Sequence, residues 1–125
     1  MITQKRSRRK SSGGRYKDAR KKRLIDEGRT ASLTKVGKTR AKKIRARGGN
    51  DKIKLFSSDA ANVFDSKTRK YSKAKIIRVV ENPANRHHTR RNIMTKGTII
   101  ETDKGNAKIT TRPGQEGNIN AVLIQ

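Results

Sequence analysis

From Leu33 onward, no stretch keeps an apolar period long enough for a helix. Apolar residues alternate with polar ones in short runs, and each run is closed by glycine, proline, asparagine or aspartate. A period of two puts successive side chains on opposite faces of a strand, so this pattern constrains the fold more than any other feature. Residues 34–36 predict a first short strand. Residues 41–47 place Ile44 and Ala46 on one face and Lys43, Arg45 and Arg47 on the other. Gly48-Gly49-Asn50 turns the chain, because glycine supplies positive φ, and residues 52–55 alternate again, completing a hairpin with a cationic outer face. Residues 60–64 form an apolar run closed by Asp65-Ser66-Lys67-Thr68. Residues 71–80 form a longer strand, with Ala74, Ile76 and Arg78 on one face and Lys75, Ile77 and Val79 on the other. Asp103-Lys104-Gly105 joins strands at 98–102 and 107–111. Arg112-Pro113-Gly114 ends the second of these, since proline cannot continue a ladder. Residues 117–124 make the last strand. Seven or eight short strands at this spacing predict an all-β fold, a small closed or partly open β-barrel with an aliphatic core.

One stretch, residues 79–101, carries more than its share. An apolar strand end is followed by a turn, a cationic cluster and a second strand. Asn82 is placed as a helix N-cap with Pro83 at the first helical position, where proline's missing N–H has no partner to lose. The turn bears Arg86, His87, His88, Arg90 and Arg91. Ile93 and Met94 return to the core, and Lys96-Gly97 turns the chain into the next strand.

The chain before this β region has a different character. Residues 1–30 hold 12 Lys and Arg against three acids and almost nothing apolar. Such a segment cannot offset its ordering entropy by burial, so it is expected to order on a partner. Ser11-Ser12-Gly13-Gly14 predicts a flexible joint. Residues 16–27 predict a short helix, with Asp18 four residues before Lys22 and Gly28 as its C-cap. The expected organisation is a basic N-terminal extension at 1–32, ordered on RNA, and a β-barrel domain at 33–125.

Charge decides the partner. There are 34 Lys and Arg against 10 Asp and Glu, a net charge of +24 over 125 residues. Two unit charges about 7 Å apart in water repel by roughly 0.6 kcal/mol. Many such pairs with few acids to offset them call for a polyanion, and nucleic acid is the first candidate. No segment resembles a signal peptide or a membrane span, and no basic stretch has the apolar face of a membrane-surface helix. Cysteine is absent, which removes disulfides and thiolate zinc sites. Trp is absent, and Phe and Tyr number two each, so successive bases stacked on aromatic platforms are not expected. Phosphate geometry and groove shape are what this composition can read.

No catalytic constellation emerges. His87 and His88 are adjacent, point apart on an extended chain and lack a third ligand, so they read as RNA-facing donors and no metal is expected. Neither glycine pair has the form of a phosphate-cradling nucleotide loop, so no cofactor is expected. Glu81 and Glu101 are placed as structural ion-pair partners of Arg86 or Arg91. The surviving classes are an RNA-binding structural protein and, as its alternative, a DNA-compacting architectural protein.

Four segments, KSSGGRYKDARKKR, RARGGNDKIKL, VVENPANRHHTRRNIMTKGTIIET and TRPGQEGNINAVLI, resemble the eukaryotic- and archaeal-type small-ribosomal-subunit protein family 8e. The resemblance runs through nearly the whole chain in order. Eukaryotic members carry a long insertion, and this short chain is similar to the archaeal form. The resemblance implies a β-barrel with a basic arm, a non-enzymatic constituent of the cytoplasmic small ribosomal subunit, bound to its RNA and to neighbouring ribosomal proteins. It implies an RNA-penetrating arm at Arg8, Arg9, Lys10, Gly13, Gly14 and Arg15. It also implies a basic barrel face at Arg45, Arg47, Asn85, Arg86, His88, Arg90 and Arg91. The charge pattern adds Arg6, Arg20, Lys21, Lys22, Arg23, Lys52, His87 and Arg112 as RNA-binding candidates.

Overall fold

A computed structural model describes residues 2 and 7–124, apart from the side chain of Arg47. Contacts group the chain into two compact units, Met1–Ala31 and Ser32–Gln125.

In the first unit the joint at Ser11–Gly14 is a closed turn. The Gly13 N–H donates to Lys10 O at 3.0 Å, the Lys10 N–H to Gly14 O at 2.8 Å, and the Tyr16 N–H to Arg8 O at 3.0 Å. Gly13 holds φ at 83°, a conformation that costs glycine nothing. The helix expected at 16–27 is absent. Only Leu24–Asp26 forms, as one 3-10 turn. The run Arg20-Lys21-Lys22-Arg23 explains this, because a helix would stack like charges with too few acids between them. Asp18 does not bridge Lys22, and Gly28 is not the cap. Instead Arg20 pairs with Asp26 at 3.2 Å, and the turn ends at Glu27.

Among the described residues the second unit holds eight strands. β1 (Lys35–Val36), β2 (Arg40–Arg45) and β3 (Asp51–Ser58) make a three-stranded sheet in the order β1-β3-β2. β4 (Ala60–Asp65), β5 (Lys70–Glu81), β6 (Ile99–Thr102), β7 (Gly105–Ile109) and β8 (Asn120–Leu123) close into a barrel. Consecutive strands pair antiparallel. After five alternating directions the last strand runs the same way as the first, so β8 closes on β4 in parallel, with Val63 opposite Ala121. Two short α-helices interrupt the strands among the described residues, α1 (Arg86–Arg90) and α2 (Pro113–Glu116), and a 3-10 turn at Arg47–Gly49 joins β2 to β3.

The barrel lumen is filled by small aliphatic side chains, as few strands leave little room. Ala61, Val63, Ala74, Ile76, Val79, Ile100, Ala107, Ile109 and Ala121 come from its strands, and Met94 and Ile119 flank them. Leu55 of β3 joins this core, with Val36 packed against it. The alternation expected along β5 breaks. Ile76 pairs with Thr102, but Arg78 pairs with Glu101 and Val79 with Ile100, so Ile77 is an inserted residue. A second insertion falls at Val80, before Glu81 meets Ile99. Each bulge shifts the inward parity by one. Val79 therefore faces the core at 4% exposure, while Ile77 is 56% exposed and Arg78 lies outside the barrel. The sequence pattern put Arg78 on the face of Ala74 and Ile76, and Ile77 on that of Val79, and the bulge is the physical reason for both differences.

Candidate nucleic-acid interface

The cationic turn after β5 is built around two asparagines. Asn82 is not the N-cap. It is buried, its Nδ2 donates to Ile93 O at 3.0 Å, and its Oδ1 accepts the Ala84 N–H and the Thr95 hydroxyl, each at 3.0 Å. Asn82 thus ties the first and last residues of the turn together, and Pro83 sits in the tight turn that follows. The N-cap is Asn85, whose Oδ1 accepts the His87 N–H at 2.9 Å. Both asparagines can cap, and the one drawn into the core is spent there.

The helix ends as firmly as it starts. The Asn92 N–H donates to Thr89 O at 3.0 Å and the Ile93 N–H to His88 O at 3.0 Å, the two bonds of a Schellman ending. Asn92 takes the left-handed position with φ of 49°, and fully buried Ile93 follows it. The Asn92 side chain then accepts the Val79 N–H at 3.2 Å. Arg86, His87, Arg90 and Arg91 are exposed on this turn, and His88 is half-buried. The His88 Nδ1 is buried without a hydrogen-bond partner among the described residues.

A second cluster lies at the tip of the β2–β3 hairpin. Arg45 is opposite Asp51, with Gly48 and Gly49 at φ of 74° and 77° between them. Lys52 Nζ donates to Gln115 Oε1 at 3.1 Å, which brings α2 and the exposed Arg112 to the same end of the sheet. Proline at the start of α2 and left-handed Gly117 after it give the Arg112 segment a turn of helix where the sequence predicted only a strand end. A Cβ on Gly117 would lie 2.5 Å from Ile53 Cγ2, so α2 sits on β3 at glycine distance.

The hairpin tip and the α1 turn do not merge. The α1 turn is bonded through Asn92 O to the Val36 N–H, and Val36 pairs with Ser58 at the far end of β3. Asp51 to Ser58 spans roughly 23 Å at ~3.3 Å per residue. In the arm, Arg9 bridges Arg15 across the closed turn, and Lys10 Nζ lies 5.6 Å from the Tyr16 ring centre. Arg8, Gly14, Lys21, Lys22 and Arg23 are exposed along the arm. Arg6 lies outside the described residues, as does the side chain of Arg47.

Most of the acids are occupied elsewhere, and Glu81, which the sequence paired with Arg86 or Arg91, makes no ion pair with either among the described residues. Asp51 pairs with Lys43 at 2.8 Å and Glu101 with Arg78 at 2.5 Å, so Glu101 does not serve Arg86 or Arg91. Asp59 accepts the Thr39 hydroxyl at 2.7 Å; this bond, the local backbone, Lys73 and Lys75 hold its carboxyl below the ordinary range. Asp65 is lowered by the Lys67 N–H and the Thr68 hydroxyl, and Asp103 accepts the Lys75 N–H. Glu116 accepts the Arg112 N–H. Among the described residues no carboxylate pairs with Arg45, Arg86, Arg90 or Arg91. These guanidiniums are exposed, with five donors each and no ion pair among the described residues.

The sequence reading gave Asn82 the role of a cap rather than the tie across the turn, and it missed Asn92. Signals were present: two asparagines spaced three apart around Pro83-Ala84, and an asparagine immediately before the apolar pair Ile93-Met94.

A family model described as ribosomal protein S8e matches residues 3–124. The chain is 50% identical over 125 residues to the small ribosomal subunit protein eS8 of Methanocorpusculum labreanum, covering 100% of both chains. It is 50% identical over 124 residues to the protein of the same description from Methanococcus aeolicus, covering 98% of this chain and 97% of that one.

Proposed function

The chain belongs to the ribosomal protein S8e family, and on that premise we propose that it binds folded RNA of the small ribosomal subunit as a structural, non-enzymatic part of the cytoplasmic ribosome. The barrel docks through two separate cationic points. One is Asn85, Arg86, His87, His88, Arg90 and Arg91, and the other is Arg45, Arg47, Lys52 and Arg112. The arm, with Arg6, Arg8, Arg9, Lys10, Arg15 and the run Arg20 to Arg23, enters between RNA helices and neutralises phosphates. Gly13 and Gly14 let its backbone come close, and neighbouring ribosomal proteins complete the surroundings. Ordering the arm on RNA costs roughly 1–2 kcal/mol per residue in backbone entropy, which the phosphate contacts must exceed.

The observation that carries this reading is the absence of acidic partners for the α1 guanidiniums among the described residues, on a turn that Asn82 and Asn92 bond to the barrel. Two cationic points toward opposite ends of β3, a strand of roughly 23 Å at ~3.3 Å per residue, suit an extended polyanion, since a nucleic-acid backbone repeats its charge every few ångströms.

Competition between structured ribosomal RNA and duplex DNA at matched salt tests the reading. A-form RNA offers a wide, shallow minor groove with 2′-hydroxyls, and B-DNA does not. Preference for the RNA is expected. Equal affinity would favour the DNA-compacting alternative.

A further inference from the structure

On the outer face of the barrel, strands β5, β4 and β8 lie side by side in register. Lys73 is opposite Asn62, and Asn62 is opposite Asn120. Two residues along, Tyr71 is opposite Phe64, and Phe64 is opposite Val122. The surface therefore carries a cationic and amide row beside an aromatic and aliphatic row. A depression of about 410 Å³ runs along it, lined by Asn62, Tyr71, Ser72, Lys73, Asn118 and Asn120. That volume falls within the roughly 300–1,000 Å³ of small-ligand clefts.

We infer that this depression holds one unpaired RNA base, stacked on Tyr71 and read by the Asn62–Asn120 amide pair; the inference rests on the RNA-binding reading above. The Tyr71 ring packs on Phe64 with centres 4.8 Å apart and planes tilted by 43°. Phe64 fixes the ring's placement, yet Tyr71 remains 72% exposed, more than a stabilising cross-strand pair requires. A ring held from behind and open in front is a stacking platform, because every base has a π face.

The amides supply the edge contact. Asn62 Nδ2 donates to Asn120 Oδ1 at 3.1 Å. That bond leaves the Asn62 oxygen as an acceptor and the Asn120 amide hydrogens as donors, with no other partner among the described residues. One acceptor from Asn62 and one donor from Asn120 are the two groups a base edge needs, the combination by which an amide reads adenine. Lys73 supplies the charge for the attached phosphate; Asp59, the carboxyl it helps to hold down, already accepts the Thr39 hydroxyl, and Asp65, at the end of β4, is bonded to Lys67 and Thr68. A duplex presents no free base face, so the occupant is a bulged, looped or terminal nucleotide.

The chain has no Trp and two Tyr, so Tyr16→Phe leaves Tyr71 as the one tyrosine emitter. In that background the full chain is titrated with single-stranded polyadenylate RNA and with inorganic polyphosphate, occupancy being followed in parallel by filter binding. Polyadenylate is expected to quench Tyr71 emission saturably, and polyphosphate bound to the same occupancy is not. Tyr71→Leu, which keeps apolar cover over Phe64, is expected to weaken polyadenylate binding about 5- to 150-fold and leave polyphosphate binding unchanged. Asn120→Ala is expected to weaken polyadenylate alone as well. If polyadenylate binds without quenching, or Tyr71→Leu is neutral toward it, the base site is overturned while RNA binding by the cationic clusters stands. If Tyr71→Leu spares polyadenylate binding but lowers retention in small subunits, the surface belongs to a neighbouring protein, and the inference is likewise overturned. Failure to bind either polyanion removes the proposed function and this site with it.

Discussion

The side-chain oxygen of Asn92 accepts the backbone N–H of Val79 at 3.2 Å, so the residue that ends α1 also satisfies a backbone donor of β5. Val79 follows the first bulge, where the ladder is disturbed and needs a substitute acceptor. The same asparagine stands at φ of 49°, a conformation asparagine tolerates better than most residues. The aim of Arg90 and Arg91 is therefore set by a bond to the barrel wall.

Two substitutions separate these roles. Asn92→Gly keeps the left-handed backbone and loses the amide, and is expected to lower stability by about 1–3 kcal/mol. Asn92→Ala is expected to lose a further ~1–2 kcal/mol, because alanine pays the left-handed penalty as well. Urea midpoints at unchanged m-value check the order of the two. Equal losses would mean that backbone conformation contributes nothing there.

Asn82 is the more sensitive position. Asn82→Ala leaves Ile93 O, the Ala84 N–H and the Thr95 hydroxyl short of a partner at a site 4% exposed. The expected loss is on the order of 2–4 kcal/mol, read by thermal or urea unfolding. A neutral outcome would show that the turn is held by Ile93 and Met94 packing alone.

Gly117→Ala is expected to destabilise by roughly 2–4 kcal/mol, combining a positive φ of 73° with contact against Ile53 Cγ2 and Cβ. The displaced α2 should also break the Lys52–Gln115 bond. A melting temperature equal to that of the parent would contradict the close approach of α2 to β3.

Acid stability follows Asp59 and Asp65. Both carboxyls are held below their ordinary value of 3.8, Asp59 chiefly by the Thr39 hydroxyl and Asp65 chiefly by the Lys67 N–H. A depressed folded value means the unfolded chain takes up the proton first. The stability these groups contribute is present in full above about pH 5 and is lost as pH falls through 3.8 toward their lower folded values. Asp59→Asn is expected to flatten that part of the pH–stability curve. An unchanged slope between pH 5 and pH 2 would show that Asp59 takes no part in it.

Much of the barrel was legible in the alternation of residues 41–124, because a half-buried strand must alternate. The bulges at Ile77 and Val80 were not, since an inserted residue is defined by its partner strand and leaves the local pattern unchanged. The choice between Asn82 and Asn85 as cap was hidden for a similar reason: both have the chemistry, and burial decides. That strands β1 to β3 form their own sheet beside the five-stranded barrel depends on long-range closure, which no local period records. The cationic residues were legible as a set from charge alone. Their division into an α1 turn and a hairpin tip at opposite ends of β3 was not. Nor was the outward Tyr71, because scarcity of aromatics pointed away from stacking.

The central claim is that unpaired cations at defined points on the barrel, together with the arm, hold folded RNA. Its most direct test is the salt dependence of ribosomal RNA binding by the full chain and by the Arg86→Ala, Arg90→Ala, Arg91→Ala triple variant. About ten phosphate contacts give a log–log slope of roughly −7 to −9 for the parent, and the variant should be shallower by about 2–3 while its barrel unfolds at the parent's urea midpoint. A parent slope near zero, or a variant that binds as tightly and as steeply as the parent, would contradict the account.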